Sequence, residues 1–114
     1  ACKGELRRWG VDISKIITKP GRMGIYFCEK GASQRPSKVI YDRADSVVSK
    51  LSATDFDWDN ILEGAEWFHF TGITPALSDS MAEATLAACQ TAKKKGIPIS
   101  SSFSILPSLR AFSC

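Results

Sequence analysis

Histidine occurs once in these 114 residues, as His69. The four cysteines, Cys2, Cys28, Cys89 and Cys114, include no pair at CxxC spacing. A zinc centre needs several nitrogen or sulfur ligands together and finds little to draw on here. A disulfide framework needs denser cysteine in a shorter chain. No apolar run reaches the ~20 residues that cross a bilayer, and no signal-peptide pattern is visible. The expectation is a cytoplasmic protein with reduced thiols and no membrane partner. The chain begins Ala-Cys-Lys without Met, which suggests an excised piece of something longer. Charge of one sign is also scarce: the formal net charge is +3. Its cations are scattered, and Lys93, Lys94 and Lys95 close a predicted helix, where they complement the dipole. No nucleic-acid partner is expected. There is no GxxxxGK[ST] phosphate loop and no Gly-x-Ser-x-Gly elbow. Asp55, Asp57 and Asp59 alternate as in a calcium loop, but Asn60 stands where that loop requires glycine.

What remains is an ordinary globular composition, 44% apolar and 24% charged, long enough for one small domain. Residues 3–9, KGELRRW, read as a helix end with Leu6 and Trp9 on one face, and Gly10 suits the position just past it. ISKIITK at 13–19 is β-branched and predicts a strand. KPGR at 19–22 is a turn signal. MGIYFCEK at 23–30 and SKVIYDR at 37–43 predict two more strands around a GASQRP loop. Together they imply a three-stranded antiparallel meander. SVVSKL at 46–51 either adds a fourth strand or leaves the sheet.

The pattern then changes. DFDWDNIL at 55–62 predicts a short helix opened by acids. EWFHF at 66–70 is a continuous apolar run, as in strands buried on both faces. GITP at 72–75 would be a loop at that strand's carboxyl end, where ligands of α/β folds gather. Residues 78–95 form the clearest helix, with Ser80 and Glu83 at capping-box spacing and Ala82, Leu86 and Cys89 as its apolar stripe. Gly96 closes it and IPIS at 97–100 follows as a strand. The unit 66–100 is therefore βαβ, with parallel strands and a right-handed crossover. The fold class is α/β: an antiparallel sheet followed by a parallel βαβ unit.

Side chains on a strand alternate between faces. Tyr26 shares a face with Gly24 and Cys28, and Tyr41 shares one with Val39 and Arg43. Tyrosine offers a flat ring for a sugar and a hydroxyl for hydrogen bonding. Arginine offers a planar fork for a carboxylate. Taken alone, the pattern also fits a solvated edge strand. His69, inside the apolar run, reads as a hydrogen-bonded core residue rather than a ligand.

The stretches RMGIYFCEKGASQRPSKVIYDRADS and DFDWDNILEGAEWFHFTGITPALS resemble the 2-keto-3-deoxygluconate kinases of the ribokinase-like (PfkB-type) carbohydrate kinase family. The resemblance covers roughly residues 3–100. It implies a partial Rossmann-like α/β body with an antiparallel β lid over the sugar. In such kinases a tyrosine on one lid strand, and a tyrosine and an arginine two residues apart on the next, face the substrate. Tyr26, Tyr41 and Arg43 match them, so the resemblance implies substrate binding by these three. It implies ATP and Mg²⁺ as cofactors of the parent enzymes and a sugar acid as substrate.

The departures are equally specific. The Gly-Ala-Gly-Asp motif with the family's catalytic aspartate is absent, as is the nucleotide-binding half. After Ile99 the family's Asp-x-Asn-x-Arg pattern gives way to SSSFSILPSLRAFSC. No catalytic, cofactor-binding or metal-binding residue is assigned. The expected organisation is one incomplete domain: a lid region at about 13–52, a partial α/β core at about 53–100 and a divergent tail at 101–114. The expected function is that of a fragment of an ATP-dependent sugar kinase, inactive alone and unable to bind nucleotide well. The alternatives are a non-catalytic remnant that self-associates through its lid sheet, and a kinase of another sugar such as fructose or ribose. Arg43 separates the last, because a neutral sugar gives its charge nothing to pair with.

Overall fold

The computed structural model describes residues 2–102. Helix α1 spans Cys2–Arg8, and Gly10 follows it at φ +77°, a conformation that favours glycine. Leu6 is half-buried, whereas Trp9 is exposed, so the expected shared face is only partly used.

The strand expected at 13–19 does not form. Asp12 captures the segment first: its carboxylate accepts from the Ser14 amide at 2.8 Å and from the Ser14 hydroxyl at 2.9 Å. Ile16 N–H then bonds back to the Ile13 carbonyl at 3.2 Å. A side chain that satisfies nearby backbone groups offers the chain an alternative to a sheet ladder. The segment is held by Lys3, which donates to the Ile16 carbonyl at 3.0 Å, and by Lys15, which donates to the Asn60 carbonyl at 3.0 Å.

The antiparallel sheet therefore has two strands rather than three. β1 is Ile25–Glu29 and β2 is Lys38–Asp42. They pair Ile25 with Asp42, Tyr26 with Tyr41, Phe27 with Ile40, Cys28 with Val39 and Glu29 with Lys38. Every residue of both strands is exposed. The 46–51 segment leaves the sheet, with a 3₁₀ turn at Val48–Lys50.

A second 3₁₀ turn at Ala53–Asp55 leads to α2, Trp58–Ile61, capped by the Asp57 carboxylate. β3 is Phe68–Thr71, α3 is Ile73–Ala76, α4 is Asp79–Lys94 and β4 is Ile99–Ser102. β3 and β4 pair in parallel, Phe68 with Ile99 through Thr71 with Ser102. The strand–helix–strand unit read from the sequence is thus present. GITP differs: it forms the helical turn α3, not a loop. Pro75 is tolerated there because the first turn of a helix leaves its N–H groups unpaired anyway.

β3 alternates in burial and is not covered on both faces. Phe68 packs on a small core of Leu62, Ala92 and Ile97. On the other face Trp67 and His69 are exposed. The reason is supply: Trp58, Leu62 and Ala92 pack on the Phe68 side, whereas Trp67 and His69 are left exposed.

Helix α4 buries Met81, Ala84, Thr85, Ala88 and Ala92. Leu86, expected in the apolar stripe, is exposed, and Ala82 and Cys89 are half-buried. The helix approaches its neighbours through alanines, and the bulkier Leu86 points away. Its cap is Ser78 rather than Ser80. Ser78 is extended, and its hydroxyl accepts from the Met81 amide at 3.2 Å. Gly96 ends the helix at φ +72°, as expected.

The two serines can be told apart. Ser78→Ala is expected to lower stability by about 1 kcal/mol, the usual weight of an N-cap. Ser80→Ala should cost much less. Urea unfolding followed by far-UV circular dichroism measures both.

Candidate functional site

The register fixes what shares a face. Paired residues of an antiparallel ladder project to the same side. Tyr26 and Tyr41 therefore stand side by side, with ring centroids 6.3 Å apart and planes inclined by 44°. Such pairs are worth about 0.2–1 kcal/mol relative to alanines. Arg43 lies two residues beyond Tyr41 and projects to the same face. Its guanidinium carbon is 4.2 Å from the centre of the Tyr41 ring. A cation over an exposed ring contributes roughly 0.5–1 kcal/mol. The three residues singled out in the sequence are thus brought together.

The cluster is open to water. Tyr26 is 66% exposed and Tyr41 61%, so their hydroxyls are free to meet a ligand. Arg43 is half-buried. Among the described residues no carboxylate forms an ion pair with it, although Arg22, Arg35, Lys19 and Lys50 each pair with one. An arginine held over a ring presents a planar fork that can donate to an anion. The arrangement can stack a sugar, hydrogen-bond its hydroxyls and grip a carboxylate.

Two residues with a part in this geometry carried little signal in the sequence. Gly24 faces Arg43: a Cβ built on it would lie 3.2 Å from Arg43 Cγ. Arg22, read only as part of a turn, donates through Nη1 to Asp42 Oδ1 at 3.0 Å and through Nη2 to the Asp42 carbonyl at 2.7 Å.

Other features lie apart from this cluster. A pocket of about 510 Å³ is lined by Leu6, Ile16, Ile17, Val47 and Leu51 among others, and by none of the three. His69 is exposed rather than in the core. Its Nδ1 is 2.7 Å from Ser100 Oγ, which also accepts from Trp67 Nε1 at 2.8 Å. No group of three or more acidic, histidine or cysteine side chains among the described residues could hold a metal ion. No helix among them is long and apolar enough to cross a membrane.

Known proteins share this fold. A 2-dehydro-3-deoxygluconokinase from Thermotoga maritima superposes with a TM-score of 0.88 at 47% identity, over 94% of this chain and 32% of that one. A PfkB family carbohydrate kinase from Listeria grayi does so with a TM-score of 0.86 at 30% identity, over 96% and 34%. By sequence and fold the chain matches part of the PfkB-type carbohydrate kinases. In sequence, a 2-dehydro-3-deoxygalactonokinase from Haloferax volcanii is 41% identical over 92 residues, 81% of this chain and 29% of that protein. No family model matches. The chain spans about a third of the length of these PfkB-type relatives.

The approach to the sheet is tied down electrostatically. Lys19 pairs with Asp55, and the Ser52 amide donates to the same carboxylate at 2.9 Å. The Lys19 hydrogen bond first, and the Ser52 amide second, hold the Asp55 pKa below its ordinary value. A depressed carboxylate pKa gives stability that is complete above the unfolded value and lost as pH falls through the folded one. The Ser52 amide resonance should therefore titrate with a midpoint below the usual aspartate value of about 3.9, and Lys19→Met should move that midpoint upward. Two-dimensional NMR across the acid range measures it.

Proposed function

We infer that the chain contributes the substrate-facing lid of an ATP-dependent kinase that phosphorylates 2-keto-3-deoxygluconate at its terminal hydroxyl. The observation that carries this reading is that Tyr26, Tyr41 and Arg43 converge on one open face, with no carboxylate among the described residues ion-paired to Arg43. Tyr26 and Tyr41 would bind the sugar hydroxyls, and Arg43 would hold the carboxylate. The names of the T. maritima and H. volcanii relatives support a sugar acid over a neutral sugar. For fructose or ribose, the Arg43 charge would have no counterpart. The fully exposed strands are consistent with a lid, whose underside must stay free until substrate arrives.

ATP and Mg²⁺ serve the parent kinases. Among the described residues there is no group of three or more acidic, histidine or cysteine side chains that could hold a metal ion, and the sequence has no GxxxxGK[ST] motif. No step of phosphoryl transfer is assigned to them. The role of these residues is to bind and orient the sugar acid.

Binding and turnover separate cleanly. The 114-residue polypeptide is expected to bind 2-keto-3-deoxygluconate weakly and to release no ADP above background in a coupled assay. Arg43→Met should weaken binding by at least about tenfold, the weight of a hydrogen bond to a charged group, and should leave affinity for a neutral sugar unchanged. Equal loss for acid and neutral sugar would remove the carboxylate role.

A second reading rests on the other face of the sheet. Ile25, Phe27 and Ile40 project there and are 46%, 57% and 49% exposed. A two-stranded sheet is marginal alone, and an apolar face with open edges favours pairing with a second copy. Sedimentation velocity at micromolar concentration should show a dimer that Phe27→Glu converts to monomer. A wild-type monomer throughout excludes this reading.

A further inference from the structure

Arg43 is not held by the ladder that holds the tyrosines. The last pair of the sheet is Ile25 with Asp42, so Arg43 lies one step beyond it. Its backbone bond runs onward instead, from the Ser46 amide to the Arg43 carbonyl at 3.3 Å. Something else must fix the point from which its side chain leaves.

Arg22 occupies that role on both sides. Its guanidinium donates to the carbonyl of Asp42 at 2.7 Å and to the Asp42 carboxylate at 3.0 Å. Its own carbonyl accepts from the Val47 amide at 2.8 Å. One residue thus grips the chain just before Arg43 and four residues after it. Asp42 projects to the face opposite Tyr41 and Arg43. Arg22 follows it there and has its charge already paired. It therefore acts through the backbone and not on a ligand. Gly24 sets the remaining limit. The Arg43 stem runs against the space that a side chain at 24 would occupy, with Arg43 Cγ 3.2 Å and Cα 3.5 Å from a built Cβ.

We propose that Arg22 and Gly24 are positioning residues that hold the Arg43 guanidinium over the Tyr41 ring. The functional meaning of this rests on the sugar-acid reading above, but the geometry is testable without a ligand. The Arg43 methylenes beneath the cation should carry ring-current shifts from Tyr41 in the NMR spectrum of the whole chain. Arg22→Met removes the grip and keeps an apolar stem. Gly24→Val crowds Arg43 while improving strand propensity, so the sheet should survive it. In both variants the Arg43 shifts are expected to collapse while the Tyr26–Tyr41 and Cys28–Val39 cross-strand contacts persist. Unchanged Arg43 shifts in either variant overturn the proposal. So does their loss together with the cross-strand contacts in both, since Arg22 and Gly24 would then support the sheet at large.

Titration with 2-keto-3-deoxygluconate separates the two claims. Binding by the wild type and about tenfold weaker binding by Arg22→Met supports both. Equal binding by the two overturns positioning alone. Absence of binding by the wild type removes the sugar-acid reading and leaves positioning to the ring-current result.

Discussion

Pairing Tyr26 with Tyr41 across two antiparallel strands decides which side chains share a face. A slip of one residue would exchange the faces, placing Ile25, Phe27 and Glu29 where the tyrosine stands. The ladder alone does not protect against that slip, because neither face of the sheet is buried. Register is pinned at the ends. Arg35 pairs with Glu29 at one end at 2.6 Å, and Arg22 binds Asp42 at the other. Exposed pairs are usually worth little in stability. Here their position matters more than their strength, since each fixes the alignment of the strands between them.

The two halves of the chain use different means of holding shape. The later half relies on packing: α4 presents Ala84, Ala88 and Ala92, all fully buried, and lets Leu62, Ile97 and Phe68 close against it. Small side chains permit close approach of a helix to its neighbours. The earlier half has almost no buried apolar side chain and depends on polar ties. Lys3, Lys15 and Lys19 reach from α1 and the 13–19 segment to carbonyls and carboxylates elsewhere. Both faces of the sheet are thereby left exposed, at a cost in local stability.

The sequence reveals these halves unequally. Helix α4 and the parallel strands flanking it follow from apolar spacing, the terminal lysines and Gly96. The shared face of Tyr41 and Arg43 follows from the two-residue period of a strand. Residues 13–19 mislead because β-branched content is a weaker force than the Asp12–Ser14 turn that precedes them. The cap at Ser78 is hidden by a second serine two residues later with a glutamate at the matching distance. Propensity cannot choose between them, whereas the extended backbone at Ser78 does. The strand around His69 looks fully buried because an apolar run does not say how many layers cover it. Arg22 and Gly24 are legible only in three dimensions, since nothing local to either points to residue 43. The expectations for the tail beyond Ser102 lie outside the described residues.

Placing Arg43 over a ring on an uncovered sheet also determines how it meets the surrounding solution. Its field reaches directly into solvent, where counter-ions at physiological ionic strength screen charges beyond about 8 Å. Attraction of a distant anion is therefore weak, and selection occurs only at contact. Under the proposed function, inorganic phosphate and other small oxyanions would compete on the same terms as a sugar carboxylate. Under the proposed function, discrimination would come from what the two phenol rings add, a surface on which the face of a sugar can stack.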